Sequence, residues 1–152
     1  AVKVCSSKKI KLIYFSTNYV YPKKRGVYKE TDPILPINNY AWSKLGGESS
    51  VQMYKNSLII RACMTEYPFI HKYAFSNMYT NFIYHKDFIS LMEQVLKHKG
   101  IINIGGPGKS VYEFAKKDNA TIKKKKAENR NLLPLNSLMN LSKLKKLIKK
   151  NN

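Results

Sequence analysis

Three short apolar runs break the chain: Lys11-Leu12-Ile13-Tyr14-Phe15, Leu58-Ile59-Ile60-Arg61-Ala62 and Ile101-Ile102-Asn103-Ile104. Each reads as a buried strand. Between and around them the period lengthens. From His85 to Lys99 the apolar residues Phe88, Leu91, Met92, Val95 and Leu96 recur at helical spacing, and Gly100 is expected to stop that helix. Asn39 to about Lys55 contains no proline and predicts a helix capped by Asn38 or Asn39, while Ala1 to Lys9 reads as the end of another. Ser110-x-x-Glu113 is a capping box opening a helix through about Lys117. The tail from Asn140 is a basic amphipathic helix with Leu141, Leu144, Leu147 and Ile148 on one side. The stretch Tyr21 to Asn39, with Pro22, Gly26, Pro33 and Pro36, predicts a long loop of the kind that is usually functional, and Lys123 to Lys126 a solvated charge run. Strands alternating with helices predict an α/β fold with a largely parallel sheet.

Composition narrows the classes. At 152 residues the chain has the length of about one domain, and 43% hydrophobic content suits a packed globule. It contains no apolar run long enough for a membrane-spanning helix. Cys5 and Cys63 form no Cys-x-x-Cys pair and predict free thiols in a reducing compartment, and His71, His85 and His98 lack metal-ligand spacing, so no metal is expected. The net charge is +19, and 25 of the 28 basic residues are lysine. Readers of nucleic-acid bases favour the forked guanidinium of arginine, so this lysine excess predicts no specific nucleic-acid partner. A positive field still attracts anionic ligands such as nucleotide diphosphates.

One spacing carries chemistry. On a helix, Tyr40 and Lys44 at i and i+4 share a face, and a nearby cation favours the phenolate of a tyrosine. Such a tyrosine can exchange a proton with an alcohol while hydride moves to or from a nicotinamide. Spacing alone decides nothing: with 11 Tyr and 25 Lys, chance gives about two such matches, and the chain has three, Tyr19/Lys23, Tyr40/Lys44 and Tyr112/Lys116. Context separates them. Ser16-Thr17-Asn18-Tyr19-Val20-Tyr21 follows the first strand directly, where ligands bind in a doubly wound sheet, and Tyr40 comes 23 residues after Thr17, near the start of a helix.

Taken with Tyr28-x-Glu30-x-Asp32-x-x-x-Pro36-x-Asn38-x-Tyr40-x-x-Ser43-Lys44-x-x-Gly47-Glu48, this stretch resembles the extended short-chain dehydrogenase/reductases, and among them the dTDP-4-dehydrorhamnose reductase branch. Leu58-Ile59-Ile60-Arg61, Ile102-Asn103-Ile104-Gly105-Gly106-Pro107 and Asn136-Ser137-Leu138 to Leu144 continue the likeness in order.

The resemblance implies a Rossmann-type doubly wound parallel sheet, incomplete here, with a small C-terminal substrate-binding lobe. Residues 1–62 would carry the active-site end of the nucleotide-binding domain and residues 63–152 mostly the lobe. The cofactor-phosphate half, with its strand and Gly-rich turn, is expected to be missing, because the likeness starts at the helix before the active-site strand. The implied activity is reduction of a 4-keto sugar nucleotide, with epimerisation or dehydration as the alternative, or a non-catalytic binding role. Tyr40 would be the general acid/base, Lys44 its partner and the holder of the nicotinamide ribose, and Thr17 a hydrogen-bond donor to the substrate oxygen. Ser16, with Tyr40 and Lys44, would contact NADPH or NADH. Asn18 and Tyr19 would face the sugar nucleotide, Asn18 standing where the reductases often carry Asp, and Arg61 would either face the nucleotide or be structural. The resemblance also implies a cytoplasmic location and allows a homodimer.

Overall fold

The computed structural model describes residues 1–23, 26–128 and 133–151. Lys24 and Arg25, inside the expected loop, lie outside the described residues. Helix α1 (Val2–Ser7) leads into strand β1 (Leu12–Thr17), and a single 3-10 turn (Asn18–Val20) follows. Helix α2 (Asn39–Gln52) and strand β2 (Ser57–Ala62) come next, then the short strands β3 (Met64–Thr65), β4 (Tyr73–Phe75), β5 (Tyr79–Thr80) and β6 (Ile83–Tyr84). Helix α3 (His85–Val95) precedes β7 (Gly100–Ile104), β8 (Lys109–Ser110), α4 (Val111–Ala115), β9 (Lys123–Lys125) and α5 (Ser142–Asn151).

The three apolar runs become one parallel sheet in the order β1-β2-β7. Leu12 to Thr17 run beside Ser57 to Ala62, and Leu58 to Ala62 beside Gly100 to Ile104. All six residues of the central β2 are buried, as expected of a strand covered on both faces. Alternation sends Leu58, Ile60, Ala62, Ile102 and Ile104 to one face, where they pack with Phe88, Val95 and Leu144 of α3 and α5. Each of the larger side chains, Leu, Ile, Val or Phe, contributes about 1.5–3 kcal/mol when fully buried. Helix α2 covers the other face, through Glu48 against Arg61 and Gly47 against Tyr14. A second cluster, Phe69, Ala74, Met78, Val111, Ala115 and Ile122, is enclosed by the paired short strands β4–β9 and β5–β8 and by α4. A third, Val20, Tyr21, Tyr28, Cys63 and Met139, lies beneath the loop that follows β1.

Two local expectations are corrected. Helix α3 ends at Val95 rather than running to Lys99: His98 N–H bonds back to Val95 O in a turn, and Gly100, at φ 84°, opens β7 instead of ending a helix. Helix α4 stops at Ala115, two residues before Lys117, though its capping box forms in full. The charge run Lys123–Lys125 is exposed, as expected, and it also forms a strand that pairs in parallel with Tyr73–Phe75. A strand at a sheet margin can carry consecutive lysines, which blunt its edge against further pairing.

Candidate active site

The site is built from the end of β1 and the first two turns of α2. Asn38 caps α2, its Oδ1 accepting the Ala41 N–H at 2.8 Å, so the helix begins one residue before Tyr40. Such a cap contributes on the order of 1 kcal/mol. Close approach of α2 to β1 depends on Gly47. A Cβ there would lie 2.1 Å from the Tyr14 hydroxyl, and that hydroxyl donates to Lys44 O at 3.2 Å.

Tyr40 and Lys44 come near each other in three dimensions. The Lys44 ammonium lies 6.0 Å from the centre of the Tyr40 ring and 5.6 Å from that of Tyr14, and donates to Phe15 O at 3.0 Å. That bond pins it to the C-terminal half of β1. Tyr40 is 53% exposed. Tyr19 meets it edge to face at 6.1 Å. Burial, with Cys63 and Tyr40 nearby, pushes the Tyr19 phenol well above its ordinary range, so Tyr19 stays a neutral hydroxyl. Thr17 is buried at the strand end, where its Oγ1 accepts the Tyr19 N–H at 3.2 Å and donates to Asn18 Oδ1 at 3.4 Å. Ser16 is also buried, and its Oγ has no hydrogen-bond partner among the described residues. By contrast, Tyr112 on the short α4 and Lys116 at its C-terminal cap follow the two-residue strand β8 rather than a strand of the main sheet, and the ammonium lies 5.8 Å over the Tyr112 ring.

Asn18, expected on the substrate side, and Arg61, expected either there or in a structural role, both lie buried in the interior. Arg61 is 2% exposed and pairs with both carboxylate oxygens of Glu48, at 3.0 and 2.7 Å. Its guanidinium also lies 4.9 Å over the Tyr21 ring and donates to the Tyr21 hydroxyl and to Glu30 O. Burial opposes its charge, but the bonds to Glu48 and Tyr21 outweigh that and hold its pKa above the ordinary value. Asn18 is 1% exposed; its amide donates to Thr80 Oγ1 at 2.9 Å and to Ser137 Oγ at 2.8 Å, tying the turn after β1 to the C-terminal segment. A buried amide or guanidinium without such partners would cost several kcal/mol, so these groups are satisfied inside rather than held out to a ligand. Sequence reasoning missed Glu48, Tyr21 and Asn103, which complete the network: Tyr21 OH donates to Asn103 Oδ1 at 2.8 Å. The signal was present. Arg61 and Asn103 are the polar interruptions in two buried strands, and they stand side by side in register, with Ser16 in the same row.

Tyr19 also lines a cavity of about 420 Å³ walled by Phe69, Phe75, Met78 and Phe82, with His71, Lys72 and Lys125 around it. A larger cavity, about 510 Å³, lies between α3, α5 and the Gly105–Gly108 loop; Tyr40 and Lys44 line neither cavity, but Tyr19, whose ring meets that of Tyr40, lines the smaller one. Among the described residues no group of three or more His, Cys, Asp or Glu is placed to hold a metal, and no helix is long and apolar enough to cross a membrane.

Residues 1–104 match the RmlD substrate binding domain. The chain belongs to that family. It is similar to a hypothetical dTDP-4-dehydrorhamnose reductase from Sulfolobus tokodaii, with a TM-score of 0.82 and 28% identity over 95% of this chain and 61% of that one. A dTDP-4-dehydrorhamnose reductase from Bacillus anthracis, solved in complex with NADP, shares the fold at a TM-score of 0.78 and 20% identity, covering 93% of this chain and 60% of that one. A probable low-salt glycan biosynthesis reductase from Haloferax volcanii is 40% identical over 60 residues, 38% of this chain and 20% of that protein. The chain thus spans about 61% of the length of the Sulfolobus structure. Its parallel sheet, covered by α2 on one face and α3 with α5 on the other, is the corresponding part of that Rossmann-like reductase fold.

Proposed function

We propose that this RmlD-family chain carries the proton-transfer and sugar-binding part of a nicotinamide-dependent reductase acting on a 4-keto sugar nucleotide. The observation that carries the reading is the Tyr40–Lys44 pair, held on α2 with the Lys44 ammonium fixed to Phe15 O, beside the strand end and the Tyr19 cavity. Tyr40 holds the proton at its hydroxyl and delivers it to the sugar oxygen as that oxygen becomes an alkoxide. Lys44 places a positive charge next to the developing phenolate, which favours the transfer. Thr17, with its hydroxyl at the mouth of the same strand, donates a hydrogen bond to that oxygen by turning away from Asn18.

The residues present also fit a dinucleotide. A buried Ser16 hydroxyl lacks a partner, and a lysine ammonium has three donors of which Phe15 O takes one. Ser16, Lys44 and Tyr40 would hold the nicotinamide end of NADPH or NADH, which supplies the hydride when bound. The aromatic cavity beside Tyr19, with Lys72 and Lys125 at hand, suits a nucleoside diphosphate: rings for the base, ammonium groups for the phosphates. On this reading the protein works in the cytoplasm, where Cys5 and Cys63 stay reduced.

The test is turnover of a dTDP-4-keto-6-deoxy sugar with NADPH by the wild type and by Tyr40→Phe. The variant is expected to lose about 10²–10⁴-fold in turnover while its affinity for the sugar nucleotide is unchanged. A variant that keeps its turnover removes Tyr40 from the chemistry and overturns the reading.

A further inference from the structure

We infer that Glu48 and Arg61 are positioning residues for Tyr40 and Lys44: the buried ion pair sets the rotation of α2 against the sheet. The inference rests on the reading above for its functional meaning, but its structural basis is separate. Helix α2 has little apolar surface to hold it. Among its residues only Ala41, Glu48 and Val51 are buried, Leu45 is partly so, and Tyr40 and Trp42 are more than half exposed. Hydrophobic contact is non-directional, and so small an apolar stripe fixes a helix's azimuth poorly.

The polar contact is directional. Glu48 lies one turn beyond Lys44, as Lys44 lies one turn beyond Tyr40, so the three stand in sequence along the helix. Both oxygens of Glu48 meet Arg61 in a two-pronged geometry, which specifies orientation as well as distance. Arg61 is itself fixed from three further sides: by the Tyr21 ring beneath it, the Tyr21 hydroxyl, and Glu30 O. Tyr21 is locked in turn to Asn103 on β7, and Asn103 N–H donates to Glu30 Oε1 at 3.0 Å. The network therefore joins α2 to β2, β7 and the loop after β1, which includes both sides of the candidate site. A rotation of α2 by one residue, about 100°, would swing Lys44 off Phe15 O and carry Tyr40 away from Tyr19. It would also break both Glu48–Arg61 bonds. Replacing a buried ion pair by apolar residues of similar volume is often neutral or stabilising, so the pair is not needed simply to hold the fold together.

That separation supplies the test. In the double variant Glu48→Met/Arg61→Leu the thermal midpoint is expected to stay near that of the wild type. Amides of α2 are expected to exchange at least about tenfold faster, with those of β2 and β7 unchanged. Trp42, the chain's one tryptophan and 54% exposed on α2, reports the same shift through altered iodide quenching. Equal slowing or speeding of exchange in α2, β2 and β7 together marks a merely structural pair and overturns the inference, as does wild-type exchange in α2. Should the double variant fail to fold, Tyr21→Phe removes one acceptor of Arg61 while keeping the ring beneath it. It is expected to speed α2 exchange alone, and an unchanged rate overturns the inference. None of these readouts involves turnover. A Tyr40→Phe variant that stays active therefore sinks the reductase reading and leaves this result standing.

Discussion

Cys63 shows how the interior beneath the site treats a reactive group. It is buried, its Sγ lies 2.9 Å from Thr80 Oγ1, and burial pushes its thiol up to about 12. Because the folded-state value lies above the unfolded one of 9.0, the folded chain holds this proton more tightly. The resulting stability is fully present below about pH 9 and is lost as pH rises toward 12. Burial moves Tyr19 and Tyr21 in the same direction. The urea midpoint is expected to fall on the alkaline side of pH 9, and less steeply in Cys63→Ala. Thiol labelling at pH 8 offers an independent check. Cys5, only partly covered, should react in the native protein and Cys63 only after unfolding. Equal native reactivity would contradict the placement of Cys63.

At the level of elements, the fit of α2 onto β1 is the tightest joint near the site. Gly47 permits it, and Gly47→Ala is expected to destabilise the protein by about 1–3 kcal/mol through overpacking against Tyr14, despite alanine's better helix propensity. A lower urea midpoint in Gly47→Ala, partly restored by adding Tyr14→Ala, is the measurement; a gain in stability would mean that α2 stands off the strand. The helices and the three main strands were readable because their apolar periods differ, and the capping signals at Asn38 and Ser110 placed two helix starts. The short strands were not readable. Met64–Thr65, Tyr79–Thr80 and Ile83–Tyr84 are too brief for any period, and Lys123–Lys125 has the composition of a loop. Their partners are distant in sequence, as with Tyr79 and Ser110. The site was legible in part for the same reason. Tyr40 and Lys44 are neighbours on one helix, whereas the interior duties of Asn18 and Arg61 depend on Ser137, Thr80 and Glu48, which only the fold brings to them.

For the whole molecule, the charge of +19 is a load on the compact state. Lysines at 123–125 stand side by side on an exposed strand. Screening shortens the reach of such repulsion from about 30 Å at 0.01 M salt to about 10 Å at 0.1 M, so the melting temperature is expected to rise with added sodium chloride over that range. A fall would mean that attractive pairs outweigh the repulsion. The stitching of the turn and loop after β1 to the segment around Ser137 has a different consequence, one of timing. Tyr28 N–H bonds Leu138 O, Asn140 N–H bonds Tyr28 O, and the Asn18 amide meets Ser137, 119 residues away. During synthesis at roughly 5–20 residues per second, Asn18 leaves the ribosome on the order of ten seconds before its partner exists. The turn that presents Thr17 and Tyr19 therefore stays open until the segment around Ser137 has emerged, and closes only then.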